Sequence, residues 1–349
     1  MYLEEGFYLY INYDIINHIK FQTIRVPFEI SKGRLIESSC IWDYEDDYTI
    51  VYQNSTPIIN DIRNYREAEI ISELNKLNTS YCVSSSTGTF DSVKDEFVKL
   101  DLNCGQVYKN IYRPLLTGKI IKHQNDLQDD FPEKIDYIDI PILDHQDYYT
   151  QLNQLELLLD ELYDVFKVIA PCRENLSCFG NKIRNILILA CTEIDSIMKR
   201  ILEQNEIKAK KKFYTTNDYI KLSQPLRLND YSLSLYRFEE LGVFNPFIDW
   251  NSQNPTLSLP WYNDYNTVKH DRNACFHLAN LKNAINSIIS LSIIIISQYG
   301  YRNDLWKEKA GKVIKVNTEP KWSIRELYVP RRKGENFSSI NFPFNCSKQ

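Results

Sequence analysis

Two long segments in the second half of the chain repeat apolar residues at the spacing of an α-helix, and this pattern constrains the fold most. Segment 151–170 reads QLNQLELLLDELYDVFKVIA, and segment 181–205 reads NKIRNILILACTEIDSIMKRILEQN. In both segments leucines and isoleucines recur every three or four residues, which places them on one helical face. Because amphipathic helices gain most of their stability from packing such faces together, the sequence predicts a helical bundle.

Two further helices are predicted to complete this bundle. The third begins near Ser258–Pro260, and the fourth runs from about Asp271 through Ile296 to Gly300. The fourth contains the most apolar run of the chain, AINSIISLSIIII at 284–296, which is shorter than the roughly twenty residues that span a bilayer. This run also carries an asparagine and several serines. We therefore predict a buried core helix and no contact with a membrane.

Residues 6 to about 53 show a shorter, alternating pattern. The segments GFYLYINY, FQTIRVPFEI and YTIVYQN mix aromatic and β-branched residues, as half-buried strands do. Thr56 followed by Pro57 predicts the N-cap and first position of a helix that runs to about Leu77. Near the end of the chain, KVIKV and WSIRELYVP predict two more short strands.

Together these patterns predict an α+β protein in three parts. We expect a mixed, β-rich N-terminal domain at residues 1–150, an all-α helical bundle at 151–300, and a C-terminal extension with short strands at 301–349.

Composition and charge narrow the classes of function. The formal net charge of -5 argues against a surface that binds nucleic acid everywhere, so any RNA contact must be a local patch. The 8 cysteines are irregularly spaced and form no CxxC pair, which predicts free thiols in a reducing compartment. The N-terminus MYLEEGFYLY has two acids and lacks the basic start of a secretory signal. We therefore expect a cytoplasmic protein.

The stretch KHDRNACFH, at 269–277, places an arginine shortly before a histidine. Histidine moves protons near neutral pH, and a guanidinium neutralises the charge that grows on phosphate oxygens. The pair therefore suits metal-free cleavage of a phosphodiester, for which RNA supplies its own 2′-hydroxyl nucleophile. On a continuous helix Arg272 and His277 lie about 140° apart, so they converge only if the helix begins near Arg272. By itself, such a pair is more often structural than catalytic.

The segment Gln151–Gly300 resembles the HEPN family of small helical-bundle proteins, many of which are metal-independent ribonucleases. The resemblance rests on Arg272, Asn273 and His277, which match the family's motif of an arginine, a polar residue and a histidine. It also rests on the stretches NILILACTEIDSIMKRIL and WYNDYNTVKHDR upstream of that motif. It implies that Arg272 stabilises the phosphate, that His277 acts as general acid or base, and that Asn273 orients the substrate or the histidine.

The same resemblance implies partners and a biological role. In HEPN ribonucleases the motifs of two subunits meet across a cleft, so a homodimer through the helical bundle is expected. RNA would be the substrate, an antitoxin or regulator a further partner, and no cofactor or metal would be needed. The role would lie in a toxin–antitoxin or phage-defence system. The alternative is a non-catalytic HEPN-like module that binds RNA, a nucleotide or a protein.

Four residues are candidates for a supporting role: His270, Lys269, Asp271 and Glu193. His270 lies about 20° off the face of His277 if the helix is unbroken, although a structural role is the commoner one. Asp271 beside two histidines suggests a metal, but the spacing lacks the i, i+4 histidine pair of a helical zinc site. Lys269 is a weaker candidate for contact with phosphate. Glu193 lies within an apolar stripe, so it is either paired with a group on another helix or partly in water at the rim.

A local basic patch is predicted just after the second long helix, in IKAKKKFY at 207–214. Lysines beside aromatic rings hold phosphates and stack bases, which makes this stretch a candidate RNA-binding surface. A solvated charged loop after a helix C-terminus is an equally good explanation. The candidate residues are Lys208, Lys210, Lys211, Lys212 and Tyr214.

Overall fold

A computed structural model describes most of the second half of the chain and several separate strands of the first half. The described residues are 6–12, 21–31, 34–37, 40–43, 49–52, 95–121, 134–332 and 335–344. The helix predicted from Thr56 to about Leu77 lies outside them. The chain divides into two compact units. The first contains residues 1–107, 113–138 and 322–338, and the second contains 108–112, 139–321 and 339–349.

The first unit is built on an antiparallel sheet. Its strands follow the order β6-β1-β2-β8-β9, with β3 paired to β2, and β5 pairs with β4 and β12 in a second sheet. The predicted strands GFYLYINY, FQTIRVPFEI and YTIVYQN are confirmed as β1, β2 and β5. The bounds are β1 Gly6–Asn12, β2 Phe21–Ser31, β3 Arg34–Glu37, β4 Cys40–Asp43, β5 Thr49–Tyr52, β6 Asp95–Leu100, β8 Leu115–Ile121, β9 Lys134–Ile138 and β12 Arg331–Arg332. Two further short strands are β7 (Gln106–Tyr108) and β13 (Ser338–Ile340).

The strand predicted for WSIRELYVP is wrong. This stretch forms a 3-10 turn at Ile324–Glu326, because the carboxylate of Glu326 accepts hydrogen bonds from the backbone N–H of Ser323 at 3.1 Å and from its hydroxyl at 2.9 Å. Beyond the turn the chain is buried rather than alternating. The side chains of Leu327, Tyr328 and Val329 are all inside the first unit.

The predicted extension at 301–349 does not form one piece. Residues 301–321 pack with the helices of the second unit, whereas 322–338 belong to the first unit. The predicted strand KVIKV is observed, shifted slightly, as β11 (Ile314–Thr318), which pairs with β10 (Ser232–Leu235) in the second unit. Short strands within a region predicted to be all-α were not predicted from the sequence, since SLSL at 232–235 alternates over only four residues and is buried along its whole length.

Helices form the core of the second unit. They are α1 His145–Phe166, α2 Asn181–Gln204, α3 Thr216–Tyr219, α4 Pro260–His270, α5 Arg272–Cys275, α6 Leu281–Tyr299 and α7 Asp304–Lys309. The predicted boundary near residue 150 falls inside α1. The helix begins earlier because the side chain of Asp144 caps it, accepting a hydrogen bond from the N–H of Asp147 at 2.9 Å. The third helix begins at Pro260, as predicted.

The apolar helix α6 lies at the centre of this unit. By length and composition alone it is able to cross a membrane, but 89% of its most apolar stretch is buried. Its buried serines are tolerated because each hydroxyl donates to a backbone carbonyl three or four residues earlier, as Ser292 does to Ile288 at 2.8 Å. This arrangement fits the predicted core helix.

The predicted fourth helix is broken, and this changes the geometry of the arginine–histidine motif. Asp271 leaves the helical conformation with φ -136° and ψ 81°, and its side chain accepts from the N–H of Ala274 at 3.1 Å. Asn280 then caps α6 by accepting from the N–H of Asn283 at 3.0 Å. Two caps within ten residues therefore divide the predicted helix into the short α5, a 3-10 turn at Phe276–Leu278, and α6. We call residues 271–280 the link.

A buried polar network joins α1 to the end of α6. Asp147 accepts hydrogen bonds from the hydroxyl of Tyr299 at 2.6 Å and from the side-chain amide of Gln151 at 3.0 Å, and it pairs with Arg200 of α2. The amide of Gln298 donates to Gln151 at 3.1 Å. Burial, with the neighbouring carboxylate of Asp147, raises the pKa of Tyr299. The network explains how a charged aspartate is stable at the edge of an apolar core.

Candidate functional site

The link carries all three residues of the predicted motif on an exposed surface. Arg272 and Asn273 lie in the single turn of α5, and His277 lies in the 3-10 turn that follows. All three side chains are exposed. A helix does begin at Arg272, which was the condition for convergence, but it ends at Cys275 before His277 is reached. The separation of about 140° expected on a continuous helix therefore does not apply.

Arg272 is fixed by contacts with two neighbours. A terminal nitrogen of its guanidinium donates to Oδ1 of Asn181, the first residue of α2, at 2.9 Å. The carbon at the centre of the guanidinium lies 5.7 Å from the ring centre of Phe276, which is a cation–π distance. Because a guanidinium has five N–H donors, the bond to Asn181 leaves donors for a ligand such as phosphate.

His277 is held through its backbone. Its carbonyl accepts a hydrogen bond from the side-chain amide of Asn280 at 3.5 Å. In the described part of the chain, no side chain hydrogen-bonds its imidazole, which is exposed. The ring is thus accessible to a substrate or to a second protein surface.

The structure gives His270 and Asp271 positions that differ from their predicted ones. The alignment of His270 with His277 required an unbroken helix and is wrong, because α4 ends at His270 and the backbone turns at Asp271. The carboxylate of Asp271 caps α5. Over the described ranges, no three histidine, cysteine, aspartate or glutamate side chains come together as a metal site.

Helices α2 and α4 share a partly buried polar cluster on the α2 side of the motif. The hydroxyl of Tyr262 donates to Oδ1 of Asp195 at 2.5 Å, and Lys269 donates to the hydroxyl of Tyr265 at 3.1 Å. Burial raises the pKa of Asp195, against the opposing effects of the Tyr262 hydrogen bond and the charge of Lys269. The hydrogen bond from Lys269 to Tyr265 raises the pKa of the lysine. Lys269 therefore forms a hydrogen bond with a side chain of its own helix, α4.

The acid that finds a partner on another helix is Asp195, not Glu193. Glu193 is partly exposed, and burial raises its pKa while the charge of Arg200 lowers it. This matches the rim position, the second of the two predicted alternatives. Along the axis of α2, Glu193 lies about 18 Å from Asn181. That separation places it outside the reach of the Arg272 guanidinium.

The predicted basic patch lies at the opposite end of α2 from the motif. Asn181 begins the helix and Gln204 ends it, a span of about 36 Å at 1.5 Å per residue. The predicted lysines that follow are exposed, and Lys212 lies 5.3 Å from the ring centre of Phe213. The hydroxyl of Tyr214 is engaged by the backbone carbonyl of Ile207 at 2.8 Å. The structure therefore does not bring these lysines together with Arg272 within one chain.

Asn181 was not predicted as a site residue. It lies 91 residues before Arg272, so their contact depends on how α2 packs against the link. The only local signal was an asparagine directly after Gly180 at the start of a predicted helix.

Two surface concavities in the described part of the second unit lie away from the motif. One of about 520 Å³ is lined by residues that include Tyr301 and Lys315, and one of about 540 Å³ by residues that include Cys172 and Glu240. No residue of the link lines either of them. The exposed side chains of the motif are accessible to a polymer, whereas small molecules usually bind in concave pockets.

No protein-family model, curated protein or solved structure matches this chain. The resemblance to HEPN proteins therefore rests on the motif and the stretches quoted above, and the structural observations are those of this chain alone.

Proposed function

We propose that the protein is a metal-independent endoribonuclease of the HEPN type. The observation that carries the proposal is the position of Arg272, which is fixed at 2.9 Å to the start of α2 on the same exposed link as His277. An anchored guanidinium with free donors suits a phosphate, and an accessible imidazole suits proton transfer near neutral pH. Both groups are open to a polymer.

In the proposed reaction, the 2′-hydroxyl oxygen of RNA attacks the adjacent phosphorus. One imidazole takes the 2′-hydroxyl proton, and the bond from phosphorus to the 5′-oxygen breaks as a second imidazole protonates that oxygen. The products are a 2′,3′-cyclic phosphate and a 5′-hydroxyl. Arg272 balances the extra negative charge on the phosphate oxygens, and Asn273 orients the substrate or the imidazole.

Two imidazoles in one site require two copies of the link. We therefore propose a homodimer whose subunits each contribute His277. Because free ribonuclease activity would harm the host cell, we also propose a role in toxin–antitoxin or phage-defence systems, in the cytoplasm, with activity restrained by a partner.

The test is incubation of the purified chain with total RNA and transfer RNA in excess EDTA. Arg272→Ala and His277→Ala are compared with the parent, and circular dichroism confirms that each variant is folded. We expect cleavage by the parent alone, with cyclic phosphate ends. Equal cleavage by all three proteins, or loss of the parent's activity in EDTA, contradicts the proposal. Light scattering tests the dimer, since an active strict monomer is incompatible with a composite site.

One observation favours a second candidate function, a non-catalytic module that binds RNA, a nucleotide or a protein. A catalytic histidine is usually oriented by a third group, and among the described residues no side chain bonds the imidazole of His277. RNA that co-purifies with the protein and remains intact would support this candidate.

A further inference from the structure

Phe179 is an exposed aromatic residue held beside the motif. It immediately precedes Gly180, the N-cap of α2, and 52% of its surface is exposed. Its backbone forms an isolated bridge with Asn280, and next to it the N–H of Leu281 donates to the carbonyl of Cys178 at 2.8 Å. The main chain at Phe179 is therefore fixed directly to the end of the link.

The ring of Phe179 is connected to Arg272 through Phe276. The centres of the two phenylalanine rings are 5.6 Å apart with an interplanar angle of 84°, so the contact is edge to face. Phe276 in turn lies 5.7 Å from the guanidinium carbon of Arg272. A cation and an exposed aromatic ring thus both lie against the ring of Phe276.

Helix capping does not account for the position of Phe179. An apolar residue just before an N-cap often packs against the fourth residue of the helix, in a hydrophobic staple. Here that fourth residue is Arg184, and Phe179 packs on Phe276 of the link instead. About half of a large apolar surface remains in water, although burying it would be favourable.

We infer that Phe179 stacks against one base of the bound RNA while Arg272 contacts an adjoining phosphate. The inference rests on the proposed action on RNA and adds a positioning residue to it. Proteins bind unpaired nucleotides with aromatic rings that stack on the bases and with cationic side chains that contact the phosphate backbone. Removing such a ring costs about 1–3 kcal/mol per base, or about 5- to 150-fold in affinity.

Binding is measured separately from cleavage, in the full chain carrying His277→Ala. Fluorescence anisotropy gives the Kd for a short single-stranded RNA, before and after adding Phe179→Ala. The matched control is Tyr236→Ala, because Tyr236 is an aromatic residue with a similar exposed fraction, 53%, outside the link. We expect Phe179→Ala to weaken binding about 5- to 150-fold, Phe179→Trp to retain it, and Tyr236→Ala to leave it unchanged.

An abasic oligonucleotide of equal length distinguishes stacking from a structural effect. Because abasic RNA has no bases to stack, we expect it to bind the His277→Ala variant and the His277→Ala, Phe179→Ala double variant with equal affinity. An equal loss on both oligonucleotides, no loss on either, or no binding of RNA by the His277→Ala chain overturns the inference. If Phe179-dependent binding is found but the parent does not cleave RNA, the ribonuclease proposal fails while the base-stacking residue stands.

Discussion

Gly300→Ala should strongly destabilise the second unit. Gly300 ends α6 with φ 75° and ψ -177°, a region that is almost exclusive to glycine and costs other residues about 1–3 kcal/mol. An added Cβ would also lie 2.6 Å from Cγ of Asp139. That carboxylate accepts hydrogen bonds from the hydroxyl of Tyr112 at 2.7 Å and from the N–H of Arg302 at 2.6 Å. Moving it sacrifices at least one charged hydrogen bond, worth about 1.5–3 kcal/mol, so we expect a loss of about 2.5–6 kcal/mol.

Urea unfolding followed by far-UV circular dichroism measures this loss, because all described α-helices belong to the second unit. The matched control is Gly180→Ala. Gly180 is extended, with φ 176°, and no atom lies within 4 Å of an added Cβ. Its replacement should cost less than about 1 kcal/mol, since alanine is only a poorer N-cap. Equal effects of the two substitutions would refute the reasoning about backbone conformation and close packing.

Three further predictions concern single side chains. Asn181→Ala removes the exposed hydrogen bond that positions Arg272. The rate of the proposed RNA cleavage should therefore fall about fivefold, or about 1 kcal/mol, with little change in the free energy of unfolding. Unchanged kinetics would contradict this prediction. Burial raises the pKa of Asp195, so the parent should lose stability as pH rises from about 4 through that raised pKa. Asp195→Asn should lack this slope in urea unfolding, and parallel profiles would contradict the assignment. Tyr299→Phe removes a buried 2.6 Å hydrogen bond to Asp147 and should cost about 1.5–3 kcal/mol in the same assay, whereas no loss would contradict the network.

The periodicity of apolar residues predicted the long helices well, because a buried helical face fixes the residue type at many positions at once. In α2, every third or fourth residue from Ile183 to Leu202 is buried, and no alternative structure places them all on one side. The strands of the first unit were predicted for a similar reason, since segments such as GFYLYINY are rich in aromatic and branched aliphatic residues. Repetition makes such patterns insensitive to a single misjudged position.

The break in the fourth helix was missed because it depends on two single residues. Asp271 and Asn280 are common N-cap residues, but each is also tolerated on the surface of a continuous helix. A stretch such as DRNACFHLAN has enough helix-forming residues to conceal the two caps. The error matters for function, because the relative positions of Arg272 and His277 follow from the break.

The contacts that position the residues of the candidate site also could not be predicted from the sequence. Asn181 and Phe179 are joined to the link only by tertiary packing across a large separation in the chain. Neither residue type is unusual beside a helix start, so neither could be chosen from local pattern. In contrast, Arg272 and His277 could be singled out because their chemistry, rather than their packing, attracts notice.

Helix α2 separates two candidate surfaces, the link and the basic patch, whose relative positions could not be predicted from the sequence. Its first residue contacts Arg272, and the lysines of 208–212 follow its last turn, about 36 Å away. If two links meet in the proposed dimer, each basic patch lies about 36 Å along α2 from the link of its own subunit, and therefore far from the reacting phosphate. The lysines then act on affinity for long RNA through charge, and this contribution weakens with salt. In the proposed reaction, the arginine, the histidine and the exposed ring of Phe179 contact the nucleotides at the cleaved bond, where salt has less influence on stacking. The dependence of binding on RNA length and on salt concentration therefore distinguishes the contributions of the two surfaces, even though one helix connects them.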